Sequence, residues 1–380
     1  MKIVADNNIS YVKDAFAGIG EVVTLPAPEL TPQAVADADV VLTRSTVKLG
    51  PALLQGSKAR FVATATSGVD HVDQPWLASQ GIGFASAHGS NANAVAEWFA
   101  LTLLTMTRWR PDGPKGLTVG VVGVGAVGSR VVTKAKAMGC HVLMSDPPLE
   151  RAGGQGFSPY QDLLAKSDVL TFHTPLERGG QDPTHHLLNA AAMDQMKDGA
   201  LVFNASRGAV VSGDALIERI HSGKLNAALD CWEHEPQIEP AHVAAIPLAS
   251  PHTAGHSLDA KISGTMMVYQ AACKALGLSA NWDPSTVAPP TPDVIDLDVR
   301  ALPHNQALLA AVRTFHTHEP DDAMMRAVVQ DPVPQRGKNF RAYRRNYRVR
   351  REFHTSRLRL QGGDAHLRQS LTQMGFILTG

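Results

Sequence analysis

Cysteine is scarce in this chain. Cys140, Cys231 and Cys273 are the only three in 380 residues, too few and too scattered for a disulfide framework or a zinc knuckle. They read as small core residues, and a reducing, cytoplasmic setting fits them. Neither sign of charge prevails: 35 basic residues face 35 acidic ones, so no chain-wide field favours nucleic acid or an anionic membrane. Apolar stretches stop at strand length, so nothing is expected to span a bilayer. The segment Met1–Asn8 carries an acid, Asp6, and polar residues, which is not the pattern of a signal peptide. Repeats and low-complexity tracts are missing too. What remains is 44% hydrophobic residues, enough for several cores, in a length that suggests two or three domains.

The stretch from Leu117 to Asp146 organises the rest. Leu117 to Val122 is an apolar, β-branched run that suits a strand buried on both faces. Gly123, Gly125 and Gly128 follow with the spacing G-x-G-x-x-G, enclosing Val127. Val131, Val132, Ala135 and Met138 then recur at helical spacing, with the helix expected to start at Ser129. A second apolar run, His141 to Met144, delivers Asp146, 18 residues after Gly128. This is the dinucleotide-binding pattern. The first glycine permits a tight turn, the second lets a pyrophosphate approach the backbone, and the third lets the helix pack on the sheet. A carboxylate at Asp146 suits the two ribose hydroxyls and repels a 2′-phosphate, so NAD is expected rather than NADP.

Before this stretch, Lys2–Ala5, Glu21–Leu25, Val40–Thr43, Phe61–Thr66 and Gly83–Ala85 read as strands separated by crossover-length segments, hence a parallel sheet. Polar residues, among them Arg44, Ser45 and Thr66, stand at or just past two strand ends, where open α/β sheets take their ligands. Asn91–Trp109 reads as one long helix leading into the nucleotide domain. After Asp146, strands at Asp168–His173, Ala200–Asn204, Asn226–Leu229 and Pro247–Ser250 each run into a segment with polar groups: Thr174; Ala205-Ser206-Arg207; Asp230; His252. A helix is expected over 257–280, then a linker, Asn281–Pro292. The expected domains are 1–92 with 257–282, 93–256, and 290–380. Roughly 90 residues of tail, with strands at Val294–Val299, Arg357–Leu360 and Phe376–Leu378, form only a marginal core alone. Burial against a second copy would add to it.

Arg336 to Arg351 holds eight Lys/Arg residues interleaved with Phe340, Tyr343 and Tyr347. The aromatics make a helical stripe, and the reading preferred here is a helix that packs them and solvates its arginines. Nucleic-acid binding lacks a domain-wide basic excess. A third reading sends one or two arginines to an anionic substrate. His185-His186, His71-x-Asp73 and His316-x-His318-Glu319 supply no open tetrahedral set, and no metal is expected.

Arg207, Glu235 and His252 are the candidate catalytic residues. Arg207 offers a planar fork for a carboxylate, His252 exchanges a proton near neutral pH, and Glu235 is suited to hold the imidazole. The motifs NASRG (204–208), ALDCWEHEP (228–236) and SPHTAG (250–255), following the glycine turn and Asp146, resemble the D-specific 2-hydroxyacid dehydrogenases. TRSTVK (43–48), GSNANAVAEW (89–98), SDPP (145–148) and the tail stretch RRNYRVRREF (344–353) extend the resemblance over nearly the whole chain. It implies an α/β fold with two doubly wound parallel-sheet domains, a flavodoxin-like substrate domain and a Rossmann NAD domain, plus a small α+β C-terminal dimerisation domain. It also implies NAD as cofactor, a small phosphorylated 2-hydroxy acid as substrate and a homodimer through the tail. In this resemblance Arg207, Glu235 and His252 are catalytic. Gly123, Gly125, Val127, Gly128, Asp146, Thr174, Ala205, Ser206, Asp230 and Gly255 meet the cofactor, and Arg44, Ser45, Thr66 and His256 the substrate. His256 stands where the family places a tyrosine. The catalytic residues alone leave open another 2-hydroxy acid, such as phosphoglycerate or glycerate, or an NADH-sensing scaffold on the same fold.

Overall fold

A computed structural model of the chain describes residues 1–291 and 293–380. Pro292, the last residue of the expected linker, lies outside the described residues. The chain divides into two compact units, Met1–Asn91 with Ser257–Pro290, and Ala92–His256 with Thr291–Gly380.

The first unit is built on β1 (Lys2–Asp6), β2 (Glu21–Leu25), β3 (Val40–Thr43), β4 (Phe61–Thr64) and β5 (Gly83–Ser86), all parallel, in the order β2-β1-β3-β4-β5. This is the flavodoxin-like order. Neighbouring side chains on a strand point to opposite faces, and both faces here are apolar. Ile3, Leu42 and Ala63 pack with Val268, Tyr269 and Ala272 of the helix Leu258–Leu276. Val4, Val41 and Val62 pack with Leu53, Leu54 and Leu77 on the other side. Each such fully buried aliphatic side chain contributes roughly 1.5–3 kcal/mol.

The second unit holds a parallel sheet of β6 (Thr118–Val122), β7 (His141–Ser145), β8 (Val169–Phe172), β9 (Ala200–Asn204), β10 (Leu225–Leu229) and β11 (Leu248–Ala249), ordered β11-β10-β9-β8-β6-β7. The chain leaves β6 for β7 on one side and returns to β8 on the other. The gap between β6 and β8 is therefore the switch point, where such sheets bind ligands beyond their carboxyl ends. Val119 and Val121 pack under the helices Ala92–Met106 and Ala126–Ala137, with Phe99, Leu103, Val131 and Ala135. Leu170, Phe172 and Val202 face Leu216 and Ile217.

In the tail, β12 (Val294–Asp298), β13 (Arg357–Gln361) and β14 (Ile377–Thr379) form a parallel three-stranded sheet, with the helix Ala365–Met374 crossing from β13 to β14. Its apolar side chains Leu308, Val312, Leu358, Leu371 and Phe376 join the same cluster as Val131 and Ala135. Lys134 Nζ donates to Met374 O at 2.5 Å.

The strands expected from the sequence are all present, with ends displaced by at most two residues. Helix ends differ more: the helix expected over Asn91–Trp109 stops at Met106, and the one expected over 257–280 stops at Leu276. The nucleotide helix begins at Ala126 rather than Ser129, with Gly125 as its N-cap. The basic helix spans Val333–Arg345 and stops before Tyr347, so the expected aromatic stripe is not a single helical face. Buried Asp321 is the cause. It accepts hydrogen bonds from Tyr343 Oη at 2.7 Å, Tyr347 Oη at 2.8 Å and Arg348 Nη1 at 2.5 Å, and drawing Tyr347 and Arg348 inward ends the helix. Among the described residues, no helix is long and apolar enough to cross a membrane.

Candidate active site

The glycine turn joins β6 to the helix Ala126–Ala137 at the switch point. Gly123 has φ +82°, and a Cβ there would lie 2.8 Å from His173 O and from Thr174 Cγ2. Gly128 sits in the first helical turn, where a Cβ would fall 1.9 Å from Gly123 O. Both glycines are demanded by packing. Gly125 is not: among the described residues, apart from its chain neighbours, a Cβ there meets nothing within 4 Å. The clear space lies at a helix N-terminus with no side-chain cap, an arrangement that fits a phosphate. Val127, half-buried, packs against the domain core from the same turn.

Asp146 lies half-buried beyond the end of β7. Its Oδ2 accepts from Val124 N at 2.7 Å and its Oδ1 from Leu149 N at 3.1 Å, which ties the carboxylate to the glycine turn. Thr174, just past β8, buries an Oγ1 that has no hydrogen-bond partner among the described residues, and the adjacent His173 Nδ1 is in the same state. Burial pushes the His173 imidazole down to about 3, so it is neutral. Orphaned buried polar atoms are rare and call for a partner. The clear space at Gly125, the uncapped helix start, Asp146 and the Thr174 hydroxyl all fit a dinucleotide.

Arg207 follows β9. The Asn204 side chain shapes its loop, donating to Arg207 O at 2.9 Å and accepting from Ser206 N at 3.1 Å and Ser206 Oγ at 2.8 Å. Ala205 and Ser206 form the turn between them, and Arg207 Nη1 donates to Ser206 O at 2.8 Å. At Gly208 a Cβ would lie 2.0 Å from the carbonyl of Trp232, so only glycine lets this loop touch the one after β10. That second loop carries Glu235.

His252 follows β11 in the left-handed region, at φ 56°, which is unusual for a side chain other than glycine. Buried Asp230 holds it there. Asp230 O accepts from His252 N at 2.7 Å, while Asp230 Oδ1 accepts from Ser250 Oγ, Thr253 N and Ala254 N at 2.6, 2.8 and 3.0 Å. Burial raises the Asp230 carboxyl above its ordinary value against the pull of His252 and these donors. Gly255 follows directly, half-buried.

With the loop so fixed, His252 Nδ1 meets Glu235 Oε1 at 2.5 Å. Glu235 Oε2 accepts from Trp232 N at 3.2 Å. Burial pushes Glu235 up, but the His252 charge and hydrogen bond, the Arg344 guanidinium and the Trp232 N–H together hold it below the ordinary glutamate value. The pair leaves His252 Nε2 to exchange protons with a bound molecule. Between the loops lies the Cys231 thiol. Burial raises it well above its ordinary value; Asp230 and Glu235 add to that, while Arg207 and Arg344 oppose. All four charges thus bear on one buried point.

The expected substrate residues divide between the units. In the first, Arg44 Nη1 donates to Asn8 O at 3.4 Å, Ser45 is exposed past β3, and Thr66 Oγ1 lies 2.8 Å from Thr64 Oγ1. In the second, His256 is half-buried, its ring edge-on to Tyr347 at 5.6 Å.

The histidine pairs have structural partners. His71 Nε2 meets Thr64 Oγ1 at 3.0 Å, and Asp73 caps a helix through Trp76 N. His318 meets Thr102 Oγ1 at 3.0 Å and lies edge-on to Trp98, and burial lowers it to about 4. His185, His186 and Glu233 bring their donor atoms within 4.8 Å of one another. There His186 Nε2 meets Glu233 Oε1 at 2.6 Å, and Glu233 Oε2 accepts from Gly213 N, a brace across the loops.

One residue beside the pair was not singled out from the sequence. Arg344 Nε donates to His252 O at 3.2 Å across 92 residues of chain. Only the arginine-rich tail hinted at it.

Comparison with known proteins identifies the family. Residues 91–254 match the family "D-isomer specific 2-hydroxyacid dehydrogenase, NAD binding domain", and residues 289–375 match a domain of unknown function. The erythronate-4-phosphate dehydrogenase of Salinibacter ruber is 44% identical over 365 residues, 93% of this chain and 92% of that protein. That of Marinobacter nauticus is 38% identical over 100% of both chains. A crystal structure of a Thermus thermophilus protein superposes with a TM-score of 0.63 at 26% identity, covering 74% of this chain and 98% of that one.

Proposed function

The chain belongs to the erythronate-4-phosphate dehydrogenases, within the D-isomer specific 2-hydroxyacid dehydrogenases, and we propose that it oxidises 4-phospho-D-erythronate to 2-oxo-3-hydroxy-4-phosphobutanoate on the route to pyridoxal 5′-phosphate. It is an NAD-dependent dehydrogenase acting on a CH–OH group. The observation that carries the reading is the Glu235–His252 pair at 2.5 Å, in the same unit as the glycine turn.

In this reading Arg207 takes the substrate carboxylate in its planar fork. His252 removes the C2 hydroxyl proton at Nε2. Glu235 fixes the tautomer that leaves Nε2 free, and its charge favours the imidazolium that results. NAD, which the glycine turn and Asp146 would hold, would supply the acceptor for the C2 hydride. Asp146 receives the ribose hydroxyls. The uncapped turn from Gly123 to Gly128, with Val127, cradles the pyrophosphate. Thr174, Ala205, Ser206, Asp230 and Gly255 line the rest of the cofactor site. Ser45, Thr66, His256 and Arg44 serve the substrate, with His256 donating a hydrogen bond in place of the family's tyrosine. We further assign a cytoplasmic homodimer assembled through residues 290–380.

The test is a panel of phosphorylated and plain 2-hydroxy acids, followed by NADH appearance. The expected result is a clear preference for 4-phospho-D-erythronate, and loss of turnover in Arg207→Ala with NADH binding kept. Preference for an unphosphorylated acid would overturn the substrate. Wild-type-like turnover in Arg207→Ala would remove that side chain from the mechanism.

A further inference from the structure

We propose that Arg344 is the phosphate-recognition residue of this enzyme: its two terminal guanidinium nitrogens hold the phosphoryl group of the acid whose carboxylate Arg207 takes. The proposal rests on the phosphorylated-acid reading above and supplies the residue it lacks.

The first ground is place. Arg344 Nε donates to the backbone carbonyl of His252, one residue's width from the imidazole that meets Glu235. Its charge reaches both Glu235 and Cys231, between which and Arg207 the site is built.

The second ground is valence. Among the described residues, the terminal nitrogens of Arg344 make no hydrogen bond and no ion pair; only Nε is engaged. Other arginines of the basic run have structural work. Arg336 Nη1 donates to Ile238 O, Arg348 pairs with Asp321, and Arg350 Nη2 donates to Ala94 O. Lys338, Arg341 and Arg345 are exposed. Arg344 combines half-burial, a fixed Nε and four free N–H donors.

The third ground is rigidity. The Arg344 guanidinium lies 5.7 Å from the Phe340 ring centroid. The end of its helix is held by Asp321 through Tyr343, Tyr347 and Arg348. Tyr347 in turn abuts His256, the residue assigned to the substrate. A fork immobilised before binding loses little entropy on meeting an anion, and a planar guanidinium matches two phosphate oxygens. A dianionic phosphate needs a cation of its own when Arg207 is committed to the carboxylate.

The experiment compares full-length wild type, Arg344→Gln and Arg344→Lys, NADH-loaded for phosphate binding and supplied with NAD for turnover. One arm titrates inorganic phosphate into the enzyme and follows NADH fluorescence. The other measures KM and kcat for 4-phospho-D-erythronate and for plain D-erythronate. Loss of one charge-assisted contact corresponds to roughly a 10- to 100-fold weaker affinity. Arg344→Gln is therefore expected to weaken phosphate binding by that factor and to raise KM for the phosphorylated acid, far more than for the plain one. Arg344→Lys, which keeps a point charge, should recover part of the loss. Equal phosphate affinity in wild type and Arg344→Gln would overturn the proposal. So would an equal loss of kcat/KM on both acids, which would mean that Arg344 acts only by holding the His252 loop. If wild type fails to oxidise 4-phospho-D-erythronate, the proposed function falls instead, and the phosphate titration still decides the role of Arg344.

Discussion

The glycine turn makes a prediction that separates folding from binding within three residues. Replace Gly125 or Gly128 by alanine. At Gly125 the new methyl meets nothing among the described residues within 4 Å apart from its chain neighbours, and φ is −70°, outside the left-handed region. Alanine is a poorer N-cap than glycine by several tenths of a kcal/mol, while its stiffer unfolded chain returns about 0.4–1 kcal/mol. The stability of Gly125→Ala should therefore stay within about 1 kcal/mol of wild type. Binding should not. A methyl on the surface that receives the pyrophosphate holds it off the backbone N–H groups. One charge-assisted hydrogen bond lost is about 1.5–3 kcal/mol, roughly 10- to 100-fold in the NADH dissociation constant.

At Gly128 the methyl would sit 1.9 Å from Gly123 O and 2.9 Å from Gly123 C, backbone atoms that have no rotamer to escape into. The helix must back away from the turn. Overpacking of this kind costs about 1–3 kcal/mol, and contact with backbone places this case at the upper end. Urea midpoints and NADH fluorescence titrations measure both quantities on both variants. Wild-type NADH affinity in Gly125→Ala would refute the clearance argument. A wild-type urea midpoint in Gly128→Ala would refute the packing argument.

Further tests follow from buried charges and from Asp146. Burial, then the neighbouring Glu352 carboxylate, push Glu97 up to about 8 from 4.5, so the folded state keeps a proton that the unfolded state loses. That stability is present below pH 4.5 and is lost as pH rises to about 8, at about 1.4 kcal/mol per pH unit. Glu97→Gln should flatten the pH dependence of the urea midpoint over this range, and an unchanged slope would refute the assignment. Asp321→Asn removes the counter-charge of Arg348 and should destabilise by roughly 3–5 kcal/mol; a cost under about 1 kcal/mol by urea unfolding would contradict the clamp described here. Asp146→Ala should narrow the preference for NAD over NADP by about tenfold or more, measured as the ratio of kcat/KM, because the carboxylate that repels a 2′-phosphate is gone. An unaltered ratio would place the discrimination elsewhere.

Most of the scaffold could be read from the order of residue types. Strands such as Val40–Thr43 and Thr118–Val122 are buried on both faces, so every position is apolar or small and the run stands out without neighbours to interpret it. Gly123, Gly125 and Gly128 stand out because a turn, a ligand and a helix each require a missing side chain. The ends of helices were less legible. Val333–Arg345 stops where it does because Asp321, more than 20 residues earlier, collects Tyr343, Tyr347 and Arg348, and nothing local marks that choice.

The site itself lies where the periodic pattern gives way. His252 occupies a backbone region that most side chains avoid, and Asp230 is a buried acid whose three donors come from the loop it restrains. Strain and buried charge of this sort persist only when the surroundings over-determine them. Here the restraint comes from a strand end, two loops and a tail helix distant in sequence. Arg344 belongs to that restraint through Nε, yet among the described residues its remaining donors make no hydrogen bond. A residue that closes a contact across 92 positions has no period, cap or turn to announce it. Its function follows from which of its hydrogen-bonding groups the fold leaves unused.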